Sequence, residues 1–321
     1  MSKIAILGAN GNLGRESCLY LKKNYEITEY STEPDHLDKK QKHLNEILES
    51  NEDYKCIVFF CYSTKESEQI KIETLLKKIV TRNIPIILIS TFTIYSIYQS
   101  RYNNHKTNAE NIIKLANSWI IVRPGLVHGN SKTGLIKIIS KIRKFSLIVL
   151  LNGNSKTGFV HINQFIYELE KIISVDKFNY IHNIFYIDMK FITALRFFGF
   201  RGKILNIKIN KYKFLLKIIS KFSRFIPSAL ESYFNLLGMD ENKYINTNLK
   251  LSDKWDRYYL KRLLFYNHIY FFGLKNKFLV HKKIKEIIKF ITLKEYLELD
   301  NHNRFLYHAK LHEVTELNND Y

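Results

Sequence analysis

Tyr102 and Lys106 are the residues in this sequence whose types and spacing are best suited to proton transfer. The apolar residues around and after them recur at helical spacing, which predicts a helix over 102–117. Residues at positions i and i+4 share one face of a helix, so the phenol and the ammonium can point into one pocket. We expect the ammonium to lower the pKa of Tyr102 from about 10 toward the working pH, where a phenol can serve as general acid or base.

A Tyr and a Lys at this spacing are common by chance, and by themselves they describe a solvated helix face equally well. The apolar run Ile84–Ser90 favours the catalytic interpretation, because it reads as a strand that ends in hydroxyl residues. In an open parallel sheet the carboxyl ends of the strands form the ligand-binding edge. Thr91 comes next in the chain and is the third polar group of the predicted catalytic site.

The N-terminus supplies a glycine turn, residues Gly8–Gly14, between a predicted strand at Lys3–Leu7 and a predicted helix at 15–23. Strand, glycine turn and helix in this order are the context in which a glycine motif predicts dinucleotide binding. Gly8 allows the tight turn, Gly11 lets a pyrophosphate approach the helix N-terminus, and Gly14 lets helix and strand pack closely. A purely structural turn is the alternative.

The following runs alternate between strand and helix patterns, which predicts an α/β fold with a doubly wound parallel sheet (Rossmann type). Residues 1–190 form the predicted dinucleotide-binding domain, and 191–321 a smaller, basic, mostly helical substrate domain and tail. The predicted second strand, Tyr25–Tyr30, is followed by Ser31 and Thr32 where an acid would normally bind the adenosine ribose. The choice between NAD and NADP therefore stays open. The other predicted strands are 56–61, 119–122, 147–151 and 180–187, and the other predicted helices are 66–80, 132–145, 162–173, 212–225 and 229–237.

Six sequence blocks together resemble the extended short-chain dehydrogenases/reductases, in the NAD-dependent epimerase/dehydratase family. The resemblance covers roughly residues 1–250, and the combination is much more specific than any one block. The blocks, in family order, are the glycine turn, Phe59-Phe-Cys-Tyr62, Ser90-Thr-Phe-Thr-Ile-Tyr95, Tyr102 to Lys106 with Glu110, Arg123-Pro-Gly-Leu-Val-His-Gly129 and Gly158-Phe-Val-His-Ile162.

The resemblance implies an enzyme that uses NAD or NADP and acts on a nucleotide-activated sugar, with surface polysaccharide synthesis as the setting by analogy. In that family the residue matching Tyr102 is the acid/base, the one matching Lys106 holds the nicotinamide ribose and lowers the tyrosine pKa, and the one matching Thr91 hydrogen-bonds the reacting oxygen. The implied cofactor-binding residues are Gly8, Asn10, Gly11, Asn12, Leu13, Gly14, Ser31, Phe60, Cys61, Tyr62, Tyr102, Lys106 and Pro124.

The chain departs from the family pattern in ways that bear on the reaction. Sugar 4,6-dehydratases carry Asp and Glu directly after the catalytic hydroxyl, whereas this chain has Phe92 and Thr93, so no dehydratase activity is predicted. The loop between Tyr95 and Tyr102 is short for an extended member, and Asn163-Gln164 replace a usual pair of acids. The alternative hypothesis is a non-catalytic dinucleotide sensor or membrane-associated scaffold.

The composition and charge of the chain limit its possible partners and its cellular location. The formal net charge of +20 lies mainly in the C-terminal half, where residues 201–300 hold 21 Lys or Arg against 9 Asp or Glu. A positive surface attracts phosphates, but no nucleic-acid recognition motif or metal-ligand spacing is present. Three scattered cysteines, no signal peptide and no apolar run of membrane-spanning length predict a cytoplasmic protein. A homodimer and a peripheral membrane contact through the basic tail after Trp255 are further partners that the sequence leaves open.

Overall fold

The structure is a computed structural model. It describes residues 1–33, 41–63, 65–129, 146–151, 156–185, 187–197, 200, 202–207 and 212–222, together with 234, 258–261, 264–265, 284, 295–296 and 299. The predicted helices over 132–145 and 229–237 and the basic tail lie, apart from those few positions, outside the described residues. Within the described ranges, no helix combines the length and the apolar character that crossing a membrane requires.

Strands and helices alternate along the described chain as the apolar patterns predict. The strands are β1 Lys3–Leu7, β2 Glu26–Ser31, β3 Lys42–His43, β4 Cys56–Phe59, β5 Ile86–Ile89, β6 Trp119–Pro124, β7 Leu126–His128, β8 Leu147–Leu151, β9 Lys156–His161, β10 Tyr180–Ile184, β11 Ile187–Lys190 and β12 Lys203–Ile207. The α-helices are α1 Asn12–Leu21, α2 Glu66–Ile79, α3 Arg101–Ile113, α4 Ile162–Ser174, α5 Phe191–Phe197 and α6 Tyr212–Ser220, and two 3-10 helices cover Leu44–Leu48 and Phe92–Tyr95.

A seven-stranded parallel sheet in the order β10-β6-β5-β4-β1-β2-β3 forms the centre of the fold. The strand order reverses direction between β1 and β4, which is the switch point where open α/β sheets bind ligands. This confirms the predicted doubly wound sheet, including the late strand that rejoins it as β10 beside β6. Because helices cover both faces of such a sheet, its central strands are apolar throughout, and β4 and β5 are buried at every position.

The chain divides into two compact units, each made of three segments. The first unit comprises 1–134, 157–187 and 210–248, and it contains the seven-stranded sheet. The second comprises 135–156, 188–209 and 249–321, and in it β8 pairs in parallel with β12. The mainly helical region predicted after residue 190 also contains a strand, since β12 follows α5. A substrate domain at 191–321 stays a prediction.

A short strand pair extends the first unit beyond the main sheet. β7 pairs in parallel with β9, which aligns His128 with His161, and the two imidazole rings meet edge to face with centroids 5.3 Å apart. The His161 side chain also caps α4 by accepting from the backbone N–H of Asn163. β7 was not predicted, because it has only three residues and mixes polar with apolar side chains.

Candidate active site

The glycine turn connects β1 to α1 through backbone contacts. The N–H groups of Gly8 and Ala9 both donate to the carbonyl of Tyr30 at the end of β2, and the N–H of Gly11 donates to the carbonyl of Gly8. Gly8 has φ of 87°, a left-handed conformation that glycine adopts without strain. Gly11 is the N-cap of α1, where no side chain makes a capping bond and no acidic residue lies in the first turn. This helix end is therefore electropositive and suited to a phosphate.

Two glycines of the turn are required by close packing. A Cβ atom at Gly14 would lie 2.2 Å from the carbonyl oxygen of Gly8, which no real side chain could tolerate without moving the backbone. A Cβ atom at Gly8 would lie 3.1 Å from the backbone nitrogen of Cys61. The turn thus packs the start of α1 directly against the end of β1. It also leaves no room for a side chain at Gly8 beside the end of β4.

The end of β2 holds the predicted ribose-binding residue Ser31. Its side chain is buried and exchanges hydrogen bonds with the backbone of Glu33. Asn10 of the glycine turn donates from its side-chain amide to the carbonyl of Glu33 and accepts from Gln41. These two predicted cofactor residues therefore lie side by side, and both contact the backbone of Glu33.

Residues Phe60, Cys61 and Tyr62 leave β4 toward the same sheet edge and link the glycine turn to the catalytic helix. The N–H of Phe60 donates to the carbonyl of Leu7, which holds this segment against the end of β1. Cys61 is buried, and burial raises the pKa of its thiol to about 12, so it is a packing residue at neutral pH. The Tyr62 ring meets the Tyr102 ring edge to face, with centroids 4.7 Å apart.

The predicted catalytic residues Thr91, Tyr102 and Lys106, called here the catalytic cluster, come together at this edge. Tyr102 and Lys106 both lie on α3, and the Lys106 ammonium is 5.9 Å from the centre of the Tyr102 ring and 5.7 Å from that of Tyr62. Lys106 is buried and donates a hydrogen bond of 2.9 Å to the carbonyl of Ile89, at the end of β5. Thr91 follows that strand, and its side chain lies close enough to Tyr102 to influence the pKa of the phenol.

The expected lowering of the Tyr102 pKa is wrong for the chain as the structure shows it. Burial around the hydroxyl raises the Tyr102 pKa to about 12, and the nearby Thr91 side chain opposes this shift only in part. Burial also lowers the pKa of Lys106 to about 8, against the attraction of the Glu110 carboxylate. The ammonium makes its short contact with the Ile89 carbonyl rather than the phenol, and desolvation therefore outweighs its attraction.

A chain of buried hydrogen bonds behind Thr91 sets the direction of its proton. The Asn103 amide donates to the backbone carbonyls of Thr93 and Tyr98, which can only accept, so its Oδ1 must be the acceptor for the Thr93 hydroxyl at 2.7 Å. With its own proton committed, the Thr93 hydroxyl accepts from Thr91, 3.0 Å away. Thr91 also accepts from the N–H of Thr93. Donation from Thr91 toward Tyr102 thus requires its proton to leave Thr93.

A buried ion pair fixes α3 against the sheet. Arg123 at the end of β6 donates two hydrogen bonds to the Glu110 carboxylate of α3, one at 2.9 Å and one at 2.5 Å. The Ser90 hydroxyl donates to the same carboxylate at 2.6 Å. Arg123 also donates to the Tyr95 hydroxyl, which donates in turn to Asn183 of β10. The helix that carries Tyr102 and Lys106 is therefore held by the ends of β5 and β6, and Tyr95 connects the same arginine to β10.

Sequence reasoning missed the roles of Asn103 and Thr93. Both are buried, and Asn103 is wholly inaccessible, although a polar residue next to Tyr102 on a helix would ordinarily be assigned to the surface. Pro124, predicted to contact the cofactor, ends β6 at the same sheet edge and is buried. In the part of the chain that the structure describes, no three His, Cys, Asp or Glu side chains are grouped closely enough to hold a metal ion.

Comparison with known proteins shows a similarity of fold but no similarity of sequence. No protein-family model matches the chain, and no curated protein matches its sequence. Among solved structures, UDP-N-acetylglucosamine 4-epimerase from Bacillus cereus has a TM-score of 0.53 at 14% identity, over 71% of this chain and 98% of that chain. dTDP-4-dehydrorhamnose reductase from Bacillus anthracis, in complex with NADP, has a TM-score of 0.52 at 14% identity, over 67% of this chain and 86% of that chain.

A third similar structure shows that this fold by itself does not identify the reaction. dTDP-glucose 4,6-dehydratase from Bacillus anthracis, in complex with NAD, has a TM-score of 0.50 at 14% identity, over 70% of this chain and 97% of that chain. An epimerase, a reductase and a dehydratase thus share this architecture. The α/β fold predicted from the motif order is confirmed, and the reaction has to be argued from the residues of the site.

Proposed function

We propose that this chain is an NAD(P)-dependent oxidoreductase or epimerase that acts on a nucleotide-activated sugar. The observation that carries the proposal is the placement of the glycine turn and the catalytic cluster at one sheet edge, joined by Cys61 against Gly8 and Tyr62 against Tyr102. A dinucleotide pyrophosphate fits the uncapped start of α1, where side chains are absent at Gly11 and Gly14. The similar enzymes described with NAD or NADP support this cofactor class.

The residues of the cluster divide the proton chemistry among them. A bound nicotinamide would supply or accept the hydride at the reacting carbon. Tyr102, with its pKa raised to about 12, holds its proton at neutral pH and is ready to donate it to a carbonyl oxygen. To act as a base it must first lose that proton, which the positive charge of Lys106 favours. Thr91 orients the reacting oxygen beside Tyr102.

We further propose that the reaction is not 4,6-dehydration. Phe92 is buried and packs near Phe185, with ring centroids 5.9 Å apart, and the Thr93 hydroxyl is engaged by Asn103. Neither side chain carries an acid that could move the protons of water elimination. A 4-keto-6-deoxy product formed from a nucleotide-linked hexose would overturn this assignment.

We assign the activity to the cytoplasm and, by analogy with nucleotide-sugar enzymes, to surface polysaccharide synthesis. All three cysteines, Cys18, Cys56 and Cys61, are unpaired and buried, as suits a reducing compartment. A homodimer is the proposed assembly.

Two measurements test the proposal. Calorimetry with NAD(H) and NADP(H) should show binding to the full chain, and no binding at millimolar concentration would contradict it. Tyr102→Phe should reduce turnover by about 10²–10⁴-fold while leaving dinucleotide affinity nearly unchanged, because only the transferable proton is removed. Cofactor binding with near-normal turnover in Tyr102→Phe would favour the non-catalytic sensor or scaffold.

A further inference from the structure

Helix α6 presents an apolar surface to solvent, which is unusual for a short helix. Phe214 is 65% exposed, Leu215 43%, Ile218 41% and Phe222 57%. The backbone N–H groups of residues 221 and 222 donate to the carbonyls of residues 218 and 219, so the helical path continues past Ser220. At 100° per residue these four side chains fall within an arc of about 100°. Leu216, on the other side, is buried and anchors the helix.

The charged residues of this helical segment are all basic. The segment 212–222 contains three lysines and no Asp or Glu. Lys217 and Lys221 are exposed and project along one border of the apolar arc. An exposed apolar face of this kind marks an interaction site. The lysines define the chemistry of its partner, which must be apolar in the middle and negatively charged at the border.

We propose that α6 and the turn after it bind the surface of an anionic lipid bilayer, with Phe214, Leu215, Ile218 and Phe222 in the interface and Lys217 and Lys221 against the headgroups. An amphipathic helix with aromatic residues on one face and lysines beside them lies in the membrane plane without spanning it. The net charge of +20 adds a long-range attraction to such a surface. This placement is independent of the proposed catalytic activity.

Sedimentation of the full chain with lipid vesicles tests the inference. Binding is expected to vesicles that contain phosphatidylglycerol, and it should weaken as salt is raised. Lys217→Gln with Lys221→Gln should lower partitioning about 25-fold, at about fivefold per lysine. Phe214→Ser with Phe222→Ser should lower it by about tenfold or more, because buried aromatic surface is lost.

Matched variants elsewhere on the chain serve as controls. Leu115→Ser removes a side chain that is 75% exposed outside α6, and Lys77→Gln with Lys78→Gln removes two exposed charges from α2; both should change partitioning far less than the matching α6 variants do. Equal binding to pure phosphatidylcholine, or no binding to either vesicle, would overturn the inference. Unchanged binding of both α6 variants would place the contact elsewhere on the chain. A self-association that the Phe variants abolish, without lipid binding, would assign the face to a second copy.

Discussion

The glycine turn and the catalytic cluster lie at the same sheet edge but are built in opposite ways. The turn is made of backbone, and its function depends on side chains being absent at Gly11 and Gly14. The cluster is made of polar side chains held in a buried setting, where desolvation shifts the pKa values of Tyr102 and Lys106. The glycine turn should therefore be sensitive to added side-chain volume, and the catalytic cluster should be sensitive to pH.

Gly14→Ala should be the most damaging substitution at this sheet edge. The new methyl group would meet the Gly8 carbonyl at 2.2 Å, so α1 must move off β1, with an expected loss of about 3 kcal/mol in unfolding free energy and loss of dinucleotide binding. Urea unfolding and calorimetry would measure the two losses.

Gly11→Ala is the matched control for this prediction. Its Cβ would lie 3.2 Å from the same carbonyl, and the backbone at residue 11 has an ordinary φ of −66°. The fold should therefore persist, while cofactor affinity falls because the methyl group stands where the phosphate approaches. Equal stability of Gly14→Ala and the unmodified chain would refute the packing argument.

Lys106→Met tests the claim that the cluster responds to pH. Burial places the Lys106 pKa at about 8, below its usual 10.5, so the charged form costs stability at neutral pH and the cost declines as pH rises through that window. Between about pH 7 and about pH 9.5, the unfolding free energy of the unmodified chain should rise by about 2 kcal/mol relative to the variant. Denaturant unfolding at the two pH values measures this, with the exposed Lys114→Met as control. A difference that does not change with pH would contradict it.

Thr93→Val should have a small effect that is confined to the hydrogen bonds around Thr91. Without the Thr93 hydroxyl, the Thr91 proton loses its acceptor and can turn toward Tyr102, so the Tyr102 pKa should fall by about one unit. Ultraviolet titration of Thr93→Val against Thr93→Val with Tyr102→Phe isolates this phenol from the other tyrosines. Thr93→Ser keeps the hydroxyl and should titrate as the unmodified chain does. A fall in both variants would count against the hydrogen-bond direction.

Sequence patterns located the parts of the fold that depend on local physics. The apolar run Lys3–Leu7 predicted β1 with its observed bounds, and 162–173 predicted α4 to within one residue. Burial on both faces of a parallel sheet leaves such runs uninterrupted, so they are easily found. The helix predicted over 102–117 is shorter in the structure than expected, because α3 ends at Ile113.

The features that were missed depend on what surrounds a residue. The sign of the Tyr102 pKa shift follows from burial, which the i, i+4 spacing with Lys106 does not reveal. Asn103 looks like a surface residue until the carbonyls of Thr93 and Tyr98 are seen beside it. The division of the chain into two units made of alternating segments likewise depends on contacts between distant stretches.

The hydrogen bonds that hold α3 against the end of β5 connect residues that are close in sequence, which bears on the order of folding. Lys106 donates to Ile89, 17 residues before it, and Ser90 donates to Glu110, 20 residues after it. The glycine turn instead needs Gly8 beside Cys61, across a much longer stretch of chain. Because closing a short loop costs less entropy, the catalytic helix should dock on its strand before the nucleotide-binding end is complete. Pulse-labelling hydrogen exchange should find the amides of α3 protected earlier than those of α1, and the reverse order would show that a distant contact nucleates the fold.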